Sequence, residues 1–276
     1  MIDHDWKITN LGQSVNLGQS KMKTIGIDIG GTNIKIVLLG KIVERSVVMK
    51  TPKSQQALLK VLKNLLRNFP LSEVKGIGVA VAGLVEAKGK IVRAPNLPFK
   101  PSADLSKFFK QFHKRTVFDN DVKCIALAES KFGSIRKFKN VLLIVIGTGI
   151  GGALIVNGRL YRGQGSAGEI GKIILEHGKT FEQLASGKSL HTRSKTEFHR
   201  LAKYVGIASA NLINTFSPEA LVFAGGVVSH AGGKFLPMAK KVAMAHVIDP
   251  KSRRTKILTA ELGELAGAIG AALLVK

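Results

Sequence analysis

The chain has 276 residues, 45% of them hydrophobic, which is enough apolar material for one or two real cores. Its single cysteine, Cys124, excludes an internal disulfide framework and a Cys-rich zinc site and fits a reducing, cytoplasmic compartment. The 42 Lys and Arg against 18 Asp and Glu give a formal charge of +24, read either as a solvated Lys-rich surface or as an attraction for a polyanion such as polyphosphate.

Residues 1–21 carry Asp3 and Asp5, repeat Leu11-Gly-Gln-Ser14 as Leu17-Gly-Gln-Ser20, and lack an apolar run. They are read as a flexible tail, not a secretory signal. Thr24–Asp28, Asn33–Leu39 and Ile42–Met49 follow as a strand meander whose first turn is Gly30-Gly31. Gln55–Phe69 places Leu58, Leu59, Leu62, Leu65 and Leu66 on one face of a helix, and Gly76–Val81 is another strand, ending near Gly83. A helix is expected from Val122. Val141–Ile146, the turn Gly147-Thr148-Gly149-Ile150-Gly151-Gly152 and Ala153–Val156 repeat the strand–glycine turn–strand pattern. A helix around Lys203–Phe216, a strand at Ala220–Ala224 and Gly225-Gly226 come next. Lys251–Lys256 is the densest basic patch. It has no interleaved aromatics and no nucleic-acid-binding pattern beside it, so no specific nucleic-acid partner is expected. Leu262–Val275 is too short for a membrane span and contains Glu264; it reads as a buried helix packing through Gly263, Gly267 and Gly270. The recurrence predicts a duplicated α/β architecture with a ligand cleft between two lobes. The expected division is 22–120 for a smaller lobe, 121–260 for a larger one, and 261–276 for a helix returning to the smaller.

Six short motifs could carry chemistry. Asp28-Ile-Gly30-Gly31-Thr32-Asn-Ile-Lys35 offers backbone N–H groups without intervening Cβ atoms, as a phosphate requires, and Asp28 could hold magnesium through water. A plain hairpin turn would also use Gly-Gly. Gly147-Thr148-Gly149 is a matching turn, and neither turn fits a Walker A loop or a dinucleotide fingerprint. Gly225-Gly226 is a third close-approach site or a simple strand-to-helix turn. Asp121, beside Asn120 at a helix start, is either an anion able to accept a hydroxyl proton or a helix cap. Glu169 in Gly168-Glu169-Ile-Gly171-Lys172 and Glu182 in Glu182-Gln-Leu-Ala185-Ser186-Gly187 are either ligands for vicinal hydroxyls or surface charges.

Taken in order, DIGGTNIK, GVAVAGLVEAKGKIVRAPNLPF, FDNDVKCIALAES, IGTGIGG, GSAGEIG, EQLASG and VFAGG resemble the ROK family of sugar kinases and sugar-responsive repressors, between Thr24 and Val275. The resemblance implies a two-lobed actin-like ATPase (ribonuclease H-like) fold and an ATP-dependent, glucokinase-like hexose kinase using magnesium, usually as a homodimer, with no membrane partner. It implies Asp121 as general base, with Gly83, Asn96, Asn120, Glu169 and Glu182 around the hexose. Asp28, Gly30, Gly31, Thr32, Lys35, Gly147, Thr148, Gly149, Gly225 and Gly226 then serve the nucleotide and its metal. The chain departs from the family where most members continue GEIGH into a cysteine-bearing zinc loop: Lys172 replaces that His, the loop Lys172–Phe181 is short, and no zinc site is expected. Lys172 is expected to pair with Glu169 one turn back, and His177 to be a turn or solvated residue. Rival readings are a polyphosphate-dependent glucokinase, a fructokinase or N-acetylhexosamine kinase, and a sugar-binding regulator. The last is disfavoured because only 27 residues precede Asp28, too few for the repressors' winged helix-turn-helix.

Overall fold

The computed structural model describes residues 7–9, 23–100, 102–190, 192 and 194–275. The chain divides into two compact units, residues 1–128 with 262–276 and residues 129–261, each with its own sheet.

In the first unit, β1 (Lys7–Thr9), β2 (Lys23–Ile29), β3 (Asn33–Leu39) and β4 (Val43–Lys50) lead into α1 (Gln55–Arg67) and β5 (Val74–Val81). The short pair β6 (Leu84–Val85) and β7 (Ile91–Arg93), then α2 (Leu105–Phe109), precede β8 (Arg115–Asn120) and α3 (Asp121–Phe132). Six strands form the sheet in the order β1-β4-β3-β2-β5-β8. Neighbours from β1 to β2 are antiparallel, whereas β2, β5 and β8 run parallel. Alternation on β2 assigns its two faces. Ile25, Ile27 and Ile29 share a core with Leu58, Leu62 and Leu66 of α1. Gly26 and Asp28 face the other way, toward the terminal helix Ala266–Leu273. Gly26 and Gly78 are neighbours across β2 and β5. A Cβ on them would lie 1.9 Å from Ala268 O and 1.7 Å from Ala271 O, so the helix backbone rests directly on the sheet.

In the second unit, β9 (Val141–Ile146), β10 (Ile150–Val156) and β11 (Arg159–Tyr161) form a meander, followed by the hairpin β12 (Ile174–Glu176) and β13 (Lys179–Thr180). Then come α4 (Phe181–Ala185), α5 (Lys195–Phe216), β14 (Ala220–Ala224), α6 (Gly226–His230), α7 (Phe235–His246) and β15 (Lys256–Thr259). The sheet order is β11-β10-β9-β14-β15, antiparallel up to β9 and parallel beyond it. The same sequence of neighbours and directions occurs in β4-β3-β2-β5-β8, so the recurrence of the glycine turns extends to whole sheets. Leu201, Val205 and Leu212 of α5 pack with Ile144 and Phe223 in the core of this unit. No described helix is long and apolar enough to cross a membrane.

Three details differ from the sequence reading. Lys7–Thr9, inside the segment read as a tail, pair antiparallel with Ser46–Val48, because the edge of β4 offers unpaired backbone groups; the rest of 1–21 lies outside the described residues. The division between the units falls within α3, at 128/129, where 120/121 was expected. The early turns of α3 belong to the first unit because Gly270 of the terminal helix sits where a Cβ would be 1.7 Å from Cys124 O. Gly263 does not pack: a Cβ there would meet nothing, and its φ of +62° instead turns the chain before the helix.

Candidate active site

Asp28, Asn120 and Asp121, candidates of the first unit, lie at the ends of its parallel strands β2 and β8. Asp28 lies one residue from the end of β2, opposite Lys35 on β3. Its side chain is 8% exposed, and Oδ2 accepts from Lys35 Nζ at 3.3 Å. Gly267 makes room for this carboxylate, since a Cβ there would lie 2.6 Å from Oδ2. Burial raises the Asp28 pKa, while the Lys35 charge and hydrogen bond pull it the other way. Asp28, Ala80 and Asp119 form one row across β2, β5 and β8.

β8 passes into α3 without a loop, and this decides which residue caps the helix. Asn120 is the cap: its Oδ1 accepts Lys123 N–H at 3.1 Å. Its Nδ2 donates to Gly83 O at 3.0 Å and to Asp121 Oδ1 at 2.9 Å. Asp121, in the first helical turn, is relieved of the capping task that its local sequence also allowed. Its pKa is raised to about 7, by burial first and by the Asp28 charge second, against the opposing pull of nearby backbone N–H groups and Lys35.

The first glycine turn is exposed at Gly31 and Thr32. It is fixed by Thr51, whose Oγ1 donates to Gly30 O at 2.6 Å and whose N–H donates to Thr32 O at 2.9 Å. Gly31 packs on Asn96, a Cβ there lying 3.0 Å from Asn96 Cβ. Sequence reasoning missed Thr51. Its one visible signal is a hydroxyl directly after the third strand of the meander.

In the second unit, Thr148 is exposed at the tip of its turn, and Gly147 has open space where a Cβ would project. Glu182 sits in the first turn of α4, which Thr180 and Gln183 close with a capping box. Glu182 Oε2 accepts Ile150 N–H at 2.9 Å and Oε1 accepts from Lys172 Nζ at 2.6 Å. Burial alone would raise its pKa, but these bonds and the Lys172 and Lys188 charges outweigh burial and leave it below the ordinary glutamate value. Lys172 therefore pairs with Glu182 and not with Glu169. Ile170–Lys172 is a 3₁₀ turn in which only the Lys172 backbone N–H reaches Glu169 O, and the ammonium meets α4. Glu169 is exposed. Gly225 has φ +98° and would place a Cβ 2.4 Å from Ile146 O, so only glycine fits, while Gly226 is exposed at the start of α6. Where a zinc loop was the family expectation, His177 (φ +47°) and Gly178 (φ +72°) close the β12–β13 hairpin with the positive φ pair of a tight primed turn. Among the described residues no group of three His, Cys, Asp or Glu side chains could hold a metal ion.

Comparison with known proteins places these clusters in context. The ROK family profile matches residues 24–202 and 191–276. A glucokinase from Halalkalibacterium halodurans is 30% identical, covering 91% of this chain and 94% of its own. The xylose repressor of Bacillus subtilis is 26% identical over 91% of this chain and 76% of its own. The crystal structure of a ROK family glucokinase from Streptomyces griseus, in complex with glucose and AMPPNP, superposes with a TM-score of 0.80 at 26% identity, covering 91% of this chain and 98% of that one. The two-sheet α/β fold is thus that of the ROK kinases and the actin-like ATPases.

Proposed function

The chain is a member of the ROK family, and we propose that it is a hexose kinase transferring the γ-phosphoryl group of ATP to the 6-hydroxyl of its sugar, with Asp121 as general base. Family likeness alone does not choose between kinase and regulator, since a glucokinase and a repressor cover the same share of the chain. The observation that carries the choice is the Asp121 carboxylate, freed from capping by Asn120 and raised to about 7. A base poised near neutrality suits proton transfer from a hydroxyl, and this supports the kinase reading.

In this reading Asn120 holds Asp121 with one amide proton and Gly83 O with the other, setting the base against the acceptor hydroxyl. Gly83, Asn96, Glu169 and Glu182 serve the sugar. Gly30, Gly31, Thr32, Gly147, Thr148, Gly149, Gly225 and Gly226 offer backbone to the nucleotide, with Lys35 as a fixed cation. The carboxylates of Asp28 and Asp121 raise the negative charge at one place, the first paired with Lys35, which suits a magnesium ion near Asp28. When bound, that ion would neutralise phosphate charge, and positioning and electrostatics do most of the work in such transfers. A homodimeric, cytoplasmic enzyme is the corollary of the family resemblance. The charge of +24 favours a second donor, polyphosphate.

A coupled assay over glucose, mannose, fructose and N-acetylated hexosamines, with ATP and long-chain polyphosphate as alternative donors, tests the reading. Phosphorylation of at least one hexose with ATP is expected, and salt should suppress any polyphosphate reaction more steeply. No turnover with any pair, alongside tight sugar binding, would establish the regulator instead.

A further inference from the structure

The glycine turn of the second unit is gripped at both ends by one distant segment. Glu182 Oε2 accepts the N–H of Ile150, the residue that follows the turn, at 2.9 Å. Gly187 N–H donates to the carbonyl of Gly147, the residue that opens it, at 2.7 Å. The approach is close: a Cβ on Gly187 would lie 2.7 Å from the backbone Gly147 O, and one on Gly149 would lie 2.4 Å from Glu182 Oε2 and push that carboxylate out of place. The gripping segment is itself anchored, because Arg200 of α5 donates to Leu184 O at 2.9 Å and to Ser189 O at 2.7 Å. What backbone anchoring cannot fix is the rotation of the Glu182 carboxylate. Lys172 fixes it, holding Oε1 at 2.6 Å so that Oε2 faces Ile150.

We infer that Lys172 is a positioning residue for the Gly147-Thr148-Gly149 turn, acting through Glu182, and that this chain of bonds couples sugar occupancy to nucleotide affinity. The coupling rests on the proposed roles of that turn and of Glu182 in the kinase. A carboxylate has about four lone-pair sites, and Lys172 and Ile150 use one on each oxygen. A sugar hydroxyl donating to Glu182 draws on the remaining sites of the same group that sets the turn. Without the ammonium, the carboxylate can swing to a hydroxyl or to water and release Ile150 N–H.

Lys172→Met keeps the bulk of the side chain and removes its charge, while Lys172→Arg keeps a donor. The Lys172 side chain is 52% exposed, so neither change burdens the core. Two quantities are read on the full-length protein: hydrogen exchange at the Ile150 amide without ligand, and the dissociation constant of a non-hydrolysable ATP analogue with and without glucose. The methionine variant should exchange Ile150 about fivefold faster and bind the analogue about fivefold more weakly, the scale of a partly exposed ion pair. Arginine should restore most of both, and the effect of glucose on analogue binding should shrink in the methionine variant. Unchanged Ile150 exchange overturns the inference, and so does a variant that loses only glucose affinity, which would make Lys172 a plain sugar ligand. If the wild-type protein does not bind the analogue, the kinase reading and the coupling fall together. The exchange rate still decides whether Lys172 positions the turn.

Discussion

The two units solve opposite problems with the same functional group. In the first, burial disfavours ionisation of both Asp28 and Asp121, and at Asp121 the Asp28 charge adds to it, with Lys35 at 3.3 Å from Asp28 as partial compensation. In the second, Glu182 is given a lysine and a backbone N–H, one per oxygen, and its pKa falls. A carboxylate that must take up a proton has to be uncomfortable as an anion; one that must hold a backbone in place has to be content as one.

The largest effect expected from breaking this contrast is that of Asp121→Asn. Because Asn120 supplies the cap, the substitution removes proton acceptance without removing the cap. Turnover should fall by about 10²–10⁴-fold, with nucleotide binding retained by calorimetry. An asparagine variant with near-normal turnover would leave Asp121 a bystander.

Second in size is the pH profile. A general base works only when deprotonated, so with Asp121 in the proposed role kcat/KM for the sugar should fall about tenfold per pH unit below a limb near pH 7. Asp28→Asn should move that limb downward by removing the neighbouring charge. It should not return to the ordinary aspartate range, because burial is the larger cause.

Third, the same shift has a thermodynamic sign. The folded-state pKa of Asp121 lies above its unfolded value of 3.8. Its stabilising contribution is therefore complete below the unfolded value and is lost as pH rises to about 7. Asp121→Asn should raise the melting temperature more at pH 8 than at pH 5; an equal effect at both would deny the raised pKa.

The smallest effect is predicted for Glu182→Gln. Its depressed pKa gives stability that is present above the ordinary glutamate range and lost in acid. Exposed as it is, the pair should contribute at most about 1 kcal/mol at neutral pH, and the activity limb near pH 7 should stay where it is.

Much of this was visible in the chain because the motifs are local and ordered. The two glycine turns announced the two sheets, and the alternation of Ile25, Ile27 and Ile29 against Gly26 and Asp28 encodes both faces of β2. The sequence could not reveal contacts set by backbone register. Asn120 and Asp121 are both good caps by type, and only the direct passage of β8 into α3 assigns the task to Asn120. Lys172 looked paired with Glu169 because helical spacing favours near neighbours, but a single 3₁₀ turn does not sustain that geometry, and the partner arrives ten residues later on α4. The edge pairing of Lys7–Thr9 depends on a strand forty residues away, and nothing in those three residues signals it.

The terminal helix carries a consequence for how the protein is made. The groove formed by Gly26 and Gly78 is filled by Ala268 and Ala271, so the first unit to emerge from a ribosome is the last that can be completed. All of residues 129–261 are available for folding while β2 and β5 still show a bare glycine-lined surface. Domains generally fold as units during synthesis, N-terminal first; here that order is reversed by fifteen residues at the far end. A nascent chain arrested before Leu262 should therefore protect the second sheet from protease and leave the first open to it.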